Sequence, residues 1–583
     1  MTYDLVIRGG TVVDGSGLPR YRADVAVAAG KIARVGRKIA ERGREEIDAR
    51  DLVVAPGFID GHTHMDAQVA WDPLGTCSCW HGVTSVVMGN CGFTLAPCRP
   101  DERHLVLRNL ERAEDIPAEA MKAGIDWTWE TYRQYLDAVA RWPKGINYAG
   151  YVGHSALRTY AMGERAFTEP ASPADLAAMK RELTDALAAG AMGFTTSRTR
   201  NHETADRQPV ASRVATWDEV RDLVGVMGDL GGGIFEIAGE DTGRDPEKQR
   251  DYLTRLRDLA VETGVPVTWG MFSTRLAPDF WRPYFELLEE TARAGGRMFA
   301  QVHSRALSVL FSFETRLPFD RVAEWREVRR RPLDEQRVAL RDPSLRARLA
   351  KAASEAEYTR GVGAESRTPE YDWIFFMQDP TGPHRSVAEI ARERGIDPVT
   401  VMIDLAVERD LRCFFVQPLA NENLDHVLEM MRNPRSVVTF SDSGAHVSQI
   451  MDSSLQTHVL AYWVRRRQAL TLEEGVRMLT LEPATAWGLH DRGLLRQGLA
   501  ADLVVFDPDR VAPDMPEVVN DLPAGARRLR QKATGFRASV VNGEVVLRDG
   551  EHTGAFPGQV LRGPLARGSE PADAAAAPGC GRR

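Results

Sequence analysis

The sequence predicts an α/β protein: a TIM-like (β/α)8 barrel with insertions, plus a small β-sandwich domain formed by both termini. Three observations lead to this prediction. The middle of the chain alternates apolar strand patterns with amphipathic helix patterns, and both ends are rich in short β patterns. The length of 583 residues suits a large domain with a smaller companion.

The two ends of the chain are predicted to share the small β domain. Residues 1–55 show short strand patterns joined by turns, and residues 485–550 repeat that pattern. Asn542-Gly543 stands between two β-branched runs, which is a strong hairpin signal. Residues 551–583 are predicted to be a partly disordered tail, which ends in SEPADAAAAPGCGRR.

The barrel is predicted over residues 56–484. Helix patterns at 174–189 and 217–230 lie between strand patterns at 83–88, 147–152, 193–196, 233–238, 265–269, 297–302, 413–416 and 437–440. A bare barrel needs roughly 250 residues, so this region carries insertions. The plainest insertion is about 306–385, rich in Arg and Glu. It is interpreted either as a helical flap over the barrel mouth or as a solvated or oligomerising segment.

Composition narrows the class of protein. Hydrophobic residues make up 43% and charged residues 27%, which is typical of a globular protein with a large core. A net charge of -8 without a basic run argues against nucleic-acid binding, and no secretory signal or membrane span is predicted. Six cysteines in 583 residues, without the dense spacing of a disulfide scaffold, favour a reducing compartment, with the cytoplasm as the default. A homo-oligomer is a further expectation.

Two histidines at the end of an apolar strand form the sharpest feature. They occur in Pro56-Gly-Phe-Ile-Asp-Gly-His62-Thr-His64. Residues i and i+2 of a strand share a face, so both side chains can reach one ion at the mouth of a barrel. Neutral imidazoles suit zinc and its neighbours in the periodic table. We therefore predict His62 and His64 to be metal ligands.

An aspartate follows the last apolar strand of the barrel region, in Val437-Val-Thr-Phe-Ser-Asp442. A buried carboxylate is costly unless it is paired or binds a metal. Asp442 is predicted to bind the ion and to take a proton from the attacking water, with a turn or capping role as the alternative. His446, four residues later, is interpreted either as a substrate contact or as packing.

The sequence resembles a known group at these positions. The strand with His-x-His, the late strand that ends in Asp and the β-rich termini resemble the amidohydrolase superfamily. Within it, GFIDGHTHMD, GVTSVVMGNCG and GHSALR resemble the N-acyl-D-amino-acid deacylases, or D-aminoacylases. The resemblance extends to about residue 550. It implies hydrolysis of the amide C–N bond of a small substrate, an N-acyl (D-)amino acid or related amide, with one or two zinc ions or another divalent cation.

The resemblance also implies a cysteine ligand. In that branch the Cys of Gly-Asn-Cys-Gly binds metal, and here that position is Cys91. A thiolate is a good zinc ligand. The alternative is a buried, inert cysteine. Three neighbouring cysteines are predicted to be structural: Cys77, Cys79 and Cys98.

The chain departs from the branch at two ligand positions. D-aminoacylases carry further histidine ligands at the ends of the fifth and sixth strands, and the corresponding segments here contain no histidine. Glu236 is predicted to replace one ligand, because a carboxylate oxygen binds zinc well. His303 is a substitute ligand or a substrate contact. These departures leave open a two-metal centre and the usual substrate of the branch.

Three more residues are candidates for substrate contacts. His154, in GHSALR, is predicted to polarise the scissile carbonyl or stabilise the oxyanion, with a structural role as the alternative. Arg198 and Arg200 are predicted to hold a substrate carboxylate, with a solvated loop as the alternative.

The combined prediction is a metal-activated water that attacks an amide, with Asp442 passing the proton to the departing nitrogen. Rival interpretations are a cyclic amide or imide hydrolase, a deformylase, a carbamoyl hydrolase, and a metal-free amidohydrolase-like binding protein.

Overall fold

The computed structural model describes residues 2–243, 245–358, 364 and 367–567. Its largest unit contains two arcs of parallel strands. The first arc contains Phe58–Asp60, Val83–Met88 and Asn147–Gly150. The second arc contains, in spatial order, Val152–Gly153, Gly193–Ser197, Ile234–Ala238, Val267–Met271, Met298–Val302 and Ser436–Val438.

The two arcs meet at both ends. At one end, Asn147–Gly150 continues through Tyr151 into Val152–Gly153, and the Tyr151 nitrogen donates to Met88 O at 3.0 Å. At the other end, Thr63 forms a parallel bridge with Ser443. The segments that follow the first strand, Phe58–Asp60, and the last strand, Ser436–Val438, therefore lie side by side. In α/β enzymes, this carboxyl edge of parallel strands is where active sites lie.

Helices alternate with these strands. Pro173–Ala189 begins with a Ser172–Asp175 capping box and ends at Gly190, and Thr216 caps Trp217–Leu230. Both helices confirm the sequence prediction. The other helices outside the insertion are Arg103–Ala113, Ala118–Gly124, Tyr132–Arg141, His154–Met162, Pro246–Thr263, Arg282–Arg293, Leu424–Arg432, Leu455–His458 with the π-helix Val459–Arg466, Leu472–Leu479 and Leu481–Trp487.

The two ends of the chain share one nine-stranded mixed sheet. Its N-terminal strands are Tyr3–Val12, Tyr21–Ala28, Lys31–Gly36, Gly43–Asp48 and Val53–Pro56, and its C-terminal strands are Leu503–Phe506, Phe536–Val541, Glu544–Arg548 and Glu551–His552. Val53–Pro56 pairs antiparallel with Leu503–Phe506, which joins the two halves. The predicted hairpin at Asn542-Gly543 is confirmed by the pairing of the strands on either side. Two small antiparallel pairs complete this region: Ala512–Pro513 with Ala533–Thr534, and Glu517–Val519 with Arg528–Arg530.

An insertion with its own core separates the last two parallel strands. Leu307–Phe311 pairs antiparallel with Phe414–Ala420, so the segment predicted at 413–416 as a barrel strand belongs to the insertion instead. That assignment was wrong because a short apolar run shows a strand but not its partner. The insertion also contains Phe375–Met377, Arg385–Ser386 and the helices Ala323–Arg329, Leu333–Ala339, Pro343–Glu355, Val387–Arg394 and Pro398–Val407.

The described end of the chain is bound to the parallel-strand unit. The backbone nitrogens of Leu561, Gly563 and Arg567 donate to Tyr148 O, Gly190 O and Ala188 O at 2.8, 2.9 and 3.0 Å. The rest of the tail that was predicted to be disordered, residues 568–583, lies outside the described residues. Among residues that are described, no helix is long and apolar enough to cross a bilayer.

Candidate active site

His62 and His64 lie directly after the first parallel strand and are both buried. Their ring centroids are 5.4 Å apart. The turn is held by Asp60, whose Oδ1 accepts from the His62 nitrogen at 3.2 Å and from Thr439 Oγ1 at 2.8 Å. Gly61 is required here because a Cβ at that position would overlap the indole of Trp487. The first strand thus presents both imidazoles beside the last strand.

Asp442 meets these two imidazoles. Its Oδ1 lies 3.3 Å from His62 Nε2 and 3.5 Å from His64 Nε2, and this buried oxygen has no hydrogen-bond partner. Burial alone would raise the pKa of Asp442, but the two imidazoles hold it well below its usual value. Burial lowers the pKa of His64 to about 4, which keeps its ring in the neutral form that binds metals.

Cys91 joins this group from the loop after the second strand. Its Sγ lies 3.5 Å from His62 Nε2, and candidate ligand atoms of His62, His64 and Cys91 all lie within 4.8 Å of one another. The loop needs its glycine neighbours: Cys91 has a left-handed φ of 55°, and a Cβ at Gly92 would lie 3.0 Å from the Cα of Thr196. The Gly-Asn-Cys-Gly sequence therefore builds a sharp turn that points the thiol at His62.

Glu236 lies on the strand Ile234–Ala238 and is completely buried. Its Oε2 accepts a hydrogen bond from the Cys91 nitrogen at 2.7 Å, whereas its Oε1 has no partner. Burial raises the pKa of Glu236 to about 7, opposed by the nearby His62. One carboxylate oxygen thus positions the cysteine loop, and the other is free to face an ion.

Gln301 and Phe440 fix the orientation of His62. Gln301 Oε1 lies 2.7 Å from His62 Nδ1, and its amide nitrogen donates to Thr268 Oγ1 at 3.2 Å. The ring of Phe440 stacks on His62 at a centroid distance of 3.8 Å. With Nδ1 engaged, His62 directs Nε2 toward Cys91 and Asp442. Metal-binding histidines are commonly oriented in this way.

These side chains fit a divalent cation. Two imidazole nitrogens, one sulfur and one carboxylate oxygen are the donor types that zinc prefers. Asp442 and Glu236 each have one buried oxygen without a hydrogen-bond partner. Buried carboxylates are costly without a partner or a metal, so these two oxygens also support a cation at this position.

Comparison with known proteins agrees with this geometry. A sequence model described as the amidohydrolase family matches residues 45–547. The chain belongs to the amidohydrolase family. The D-aminoacylase-like resemblance is confirmed by an N-acyl-D-aspartate deacylase of Alcaligenes xylosoxydans xylosoxydans, which is 30% identical over 96% of this chain and 95% of its own length. A D-aminoacylase of the same organism is 28% identical over 96% of this chain and 97% of its own length.

A solved structure shows the same relationship. This amidohydrolase is 25% identical in sequence to a D-aminoacylase of solved structure, in which the functional role of a binuclear metal centre was studied. The TM-score is 0.64, and the alignment covers 96% of this chain and 100% of the other.

A buried glutamate that the sequence analysis missed lies beside the group in this amidohydrolase. Glu114 follows the helix Arg103–Ala113 and is 1% exposed. Its Oε2 lies 3.6 Å from His64 Nε2 and 3.8 Å from His446 Nε2, and its Oε1 lies 4.0 Å from His202 Nε2. Burial raises the pKa of Glu114 well above its usual value. The structure thus brings His446 to the site, together with two residues that were not predicted.

A cavity of about 1160 Å³ opens above these residues. His64, Cys91 and Asp442 form part of its floor, and Leu307 and Leu419 of the insertion form part of its wall. The insertion therefore contributes to the wall of the cavity, and it does so as a mixed sheet-and-helix unit rather than as helices alone. A deep cavity with convergent polar groups is the form of a small-molecule site.

His154 is not brought into this cavity. Its Nδ1 lies 2.8 Å from Thr196 Oγ1, and its Nε2 lies 2.9 Å from Glu219 Oε1. Arg158 binds the same carboxylate, with Nη1 2.5 Å from Oε2. Both ring nitrogens are occupied in a buried ion-pair cluster, so the predicted contact with a scissile carbonyl has no geometric support.

The predicted arginines are engaged by other carboxylates. Arg198 Nε donates to Glu240 Oε1 at 2.6 Å, and Arg200 pairs with Asp241 at the exposed rim. His303 does not line the cavity: its Nδ1 lies 3.0 Å from the backbone oxygen of Arg305, and its Nε2 faces Asp452 Oδ2 at 3.7 Å. Neither the carboxylate clamp nor the substitute ligand is assembled in this structure.

The missed residues carried different signals. Gln301 is a polar residue inside a buried strand, a pattern that could have been noticed. His202 lies near the arginines in a loop, where sequence spacing sets no position. Glu114 has no sequence signal, because it reaches the site through the packing of a helix end against a distant loop.

Proposed function

We propose that this amidohydrolase hydrolyses the amide C–N bond of an N-acyl amino acid or a related small amide. We assign one divalent cation, with zinc expected, to His62, His64, Cys91 and Asp442. The observation that carries the proposal is that Asp442 Oδ1 lies 3.3 Å from His62 Nε2 and 3.5 Å from His64 Nε2, and that Asp442 and His64 line the cavity. Glu236 is proposed to support this centre through the Cys91 loop, with its free oxygen as a further ligand.

In this proposal the carboxylate of Asp442 transfers the proton. A bound divalent cation polarises a carbonyl and lowers the pKa of water to about 7. Asp442 presents an Oδ1 without a hydrogen bond beside the proposed cation, so this oxygen can accept a proton from the attacking water. The same carboxylate then delivers that proton to the departing nitrogen. His64 stays neutral and keeps its lone pair for binding.

The substrate class rests on the relatives and on the size of the cavity. One relative is named an N-acyl-D-aspartate deacylase and another a D-aminoacylase. A cavity of about 1160 Å³ has room for an amino acid with an acyl chain. The D configuration is carried over from these names alone. Because Arg198 and Arg200 already bind carboxylates, we do not assign them to the substrate.

The architecture proposed with this function is a closed barrel. Eight parallel strands result when Asn147–Gly150 and Val152–Gly153 count as one, and the arcs adjoin at both ends. The sandwich form of the terminal domain and a homo-oligomer stay predictions. A reducing, cytoplasmic location agrees with the five described cysteines, which are all unpaired.

The test is a substrate screen combined with metal analysis. Purified protein is assayed with N-acyl-D- and N-acyl-L-amino acids, cyclic imides, and N-formyl and N-carbamoyl compounds, and bound metal is measured on the same sample. Hydrolysis of N-acyl amino acids by a zinc-containing protein supports the proposal. Turnover of cyclic imides alone would replace the substrate class. A protein that binds no metal and hydrolyses nothing would favour the binding-protein alternative.

A further inference from the structure

The residues around Glu114 form a second cluster of metal-ligating side chains, next to the cation site proposed above. We propose that Glu114, His202 and His446 hold a second divalent cation, in contact with Asp442. This inference rests on the proposed function. It gives the chain a second ion without the fifth- and sixth-strand histidines that its sequence lacks.

The distances suit a cation after small adjustments. Glu114 faces His446 at 3.8 Å and His202 at 4.0 Å, and His446 Nε2 lies 4.0 Å from Asp442 Oδ2. Zinc bonds of about 2.0–2.2 Å in a tetrahedron place ligand atoms about 3.3–3.6 Å apart. These three contacts are longer than that range by about 0.2–0.7 Å, so the side chains must close around an ion when it binds.

The partners of Glu114 are unusual for a buried acid. In the described part of the chain, the basic side chains within 4.0 Å of its carboxylate are three imidazoles: His64, His202 and His446. No lysine or arginine among those residues neutralises it, and its buried Oε1 has no hydrogen bond. A carboxylate in this setting is stabilised by a cation.

The surrounding contacts hold the proposed ligands in place. Ser197 Oγ lies 2.7 Å from His202 Nδ1, which leaves Nε2 to face Glu114. The His446 backbone nitrogen donates to Glu114 O at 2.5 Å. Next to it, Asp115 Oδ2 accepts from Ser448 Oγ at 2.6 Å. These bonds join the helix end that carries Glu114 to the loop that carries His446.

The charge of the cavity agrees with more than one cation. Nine carboxylates and four arginines line it. Acidic side chains therefore outnumber basic ones in the lining, which favours cations over anions in this cavity. Because the cluster offers imidazole nitrogen and carboxylate oxygen without sulfur, it suits Zn²⁺, Co²⁺ or Mn²⁺.

The experiment measures metal stoichiometry rather than turnover alone. Wild-type protein and Glu114→Gln, His446→Asn and Glu111→Gln variants are equilibrated with buffered Zn²⁺, and bound zinc per chain is measured. Asn suits position 446, whose φ is 49°. Glu111 lines the same cavity outside the cluster and serves as the control. We expect two ions in the wild type and in Glu111→Gln, and one ion in the other two variants.

Cobalt substitution locates the ion that remains. The sulfur-to-cobalt charge-transfer band of Cys91 should persist in Glu114→Gln, which also shows that this variant is folded. One ion per chain in active wild-type protein would overturn the second site and leave the proposed function standing. Two ions in Glu114→Gln would also overturn it. Wild-type protein without metal and without hydrolysis would overturn both proposals.

Discussion

The backbone nitrogen of Cys91 donates a 2.7 Å hydrogen bond to Oε2 of Glu236, whose other oxygen is buried without a partner. This hydrogen bond ties the cysteine loop to the strand Ile234–Ala238. It also separates two functions of one carboxylate: the positioning of the loop and the binding of an ion. Two substitutions at position 236 can distinguish them.

We expect Glu236→Gln to keep the loop in place, because the amide oxygen still accepts from the Cys91 nitrogen. Loss of the negative charge should lower zinc affinity about 10–100-fold. Glu236→Ala should in addition lower the free energy of unfolding by about 1–3 kcal/mol, because the buried nitrogen loses its acceptor. Zinc titration and urea unfolding measure the two effects. Equal zinc affinity in Glu236→Gln and the wild type would limit Glu236 to its positioning role.

Asp442→Asn tests the proton transfer. The amide cannot accept a proton from water, so kcat should fall by about 10²–10⁴-fold while the fold is retained. The control is Asp241→Asn, a carboxylate at the rim of the same cavity that pairs with Arg200. Its kcat should change far less. A wild-type kcat in Asp442→Asn would exclude the assigned role.

The centre of the site could be predicted from sequence because strand geometry determines it. His62 and His64 share a face two residues apart, and Asp442 ends a buried strand, so parallel strands bring the three to one edge. Cys91 was reached through the resemblance. The outer residues could not be predicted: Glu114 is positioned by tertiary packing, and the partner of His154 is Glu219, a residue 65 positions away in the sequence.

The fold shows the same division. The spacing of apolar residues predicted the parallel strands and both hairpin strands around Asn542-Gly543. This spacing is visible in the sequence because residues that face the core recur at regular intervals. The assignment of 413–416 failed, because pairing with Leu307–Phe311 depends on a contact between segments about one hundred residues apart. The residues of a strand do not indicate which distant segment pairs with it.

Gln301 should control metal affinity through His62. Gln301→Leu removes the acceptor at Nδ1 and should weaken zinc binding about 10–100-fold. Gln301→Glu retains an acceptor and should restore most of the affinity. Zinc competition with a chromogenic chelator measures both variants. If Leu and Glu weaken binding equally, orientation of His62 is not the cause.

Metal removal should lower both activity and stability. After dialysis against a chelator, hydrolysis should be lost and then return with added Zn²⁺. At zinc concentrations about 100 times Kd, binding to the native state adds about 2.7 kcal/mol to the free energy of unfolding. Tm should therefore rise with zinc concentration in the wild type, and much less in Cys91→Ala. A Tm that is independent of zinc in the wild type would contradict metal binding by the folded protein.

The buried cluster of His154, Arg158 and Glu219 predicts a loss of stability in acid. Burial alone would raise the pKa of Glu219, but His154 and Arg158 lower it to about 2. Because this folded-state pKa is below the unfolded value, the stabilisation is present above about pH 4.5 and is lost as the pH falls toward 2, with up to about 3 kcal/mol involved. The pKa of His154 is lowered, chiefly by burial, so its contribution to stability begins to fall below about pH 6.5.

Urea unfolding measures the free energy of unfolding across this pH range. In Glu219→Gln that free energy should depend less steeply on pH. At pH 7 this variant should be about 3–5 kcal/mol less stable than the wild type, because Arg158 stays buried without its partner. Glu169→Gln, at an exposed position nearby, should keep the wild-type dependence, and an equally steep acid loss in Glu219→Gln would show that other groups cause it.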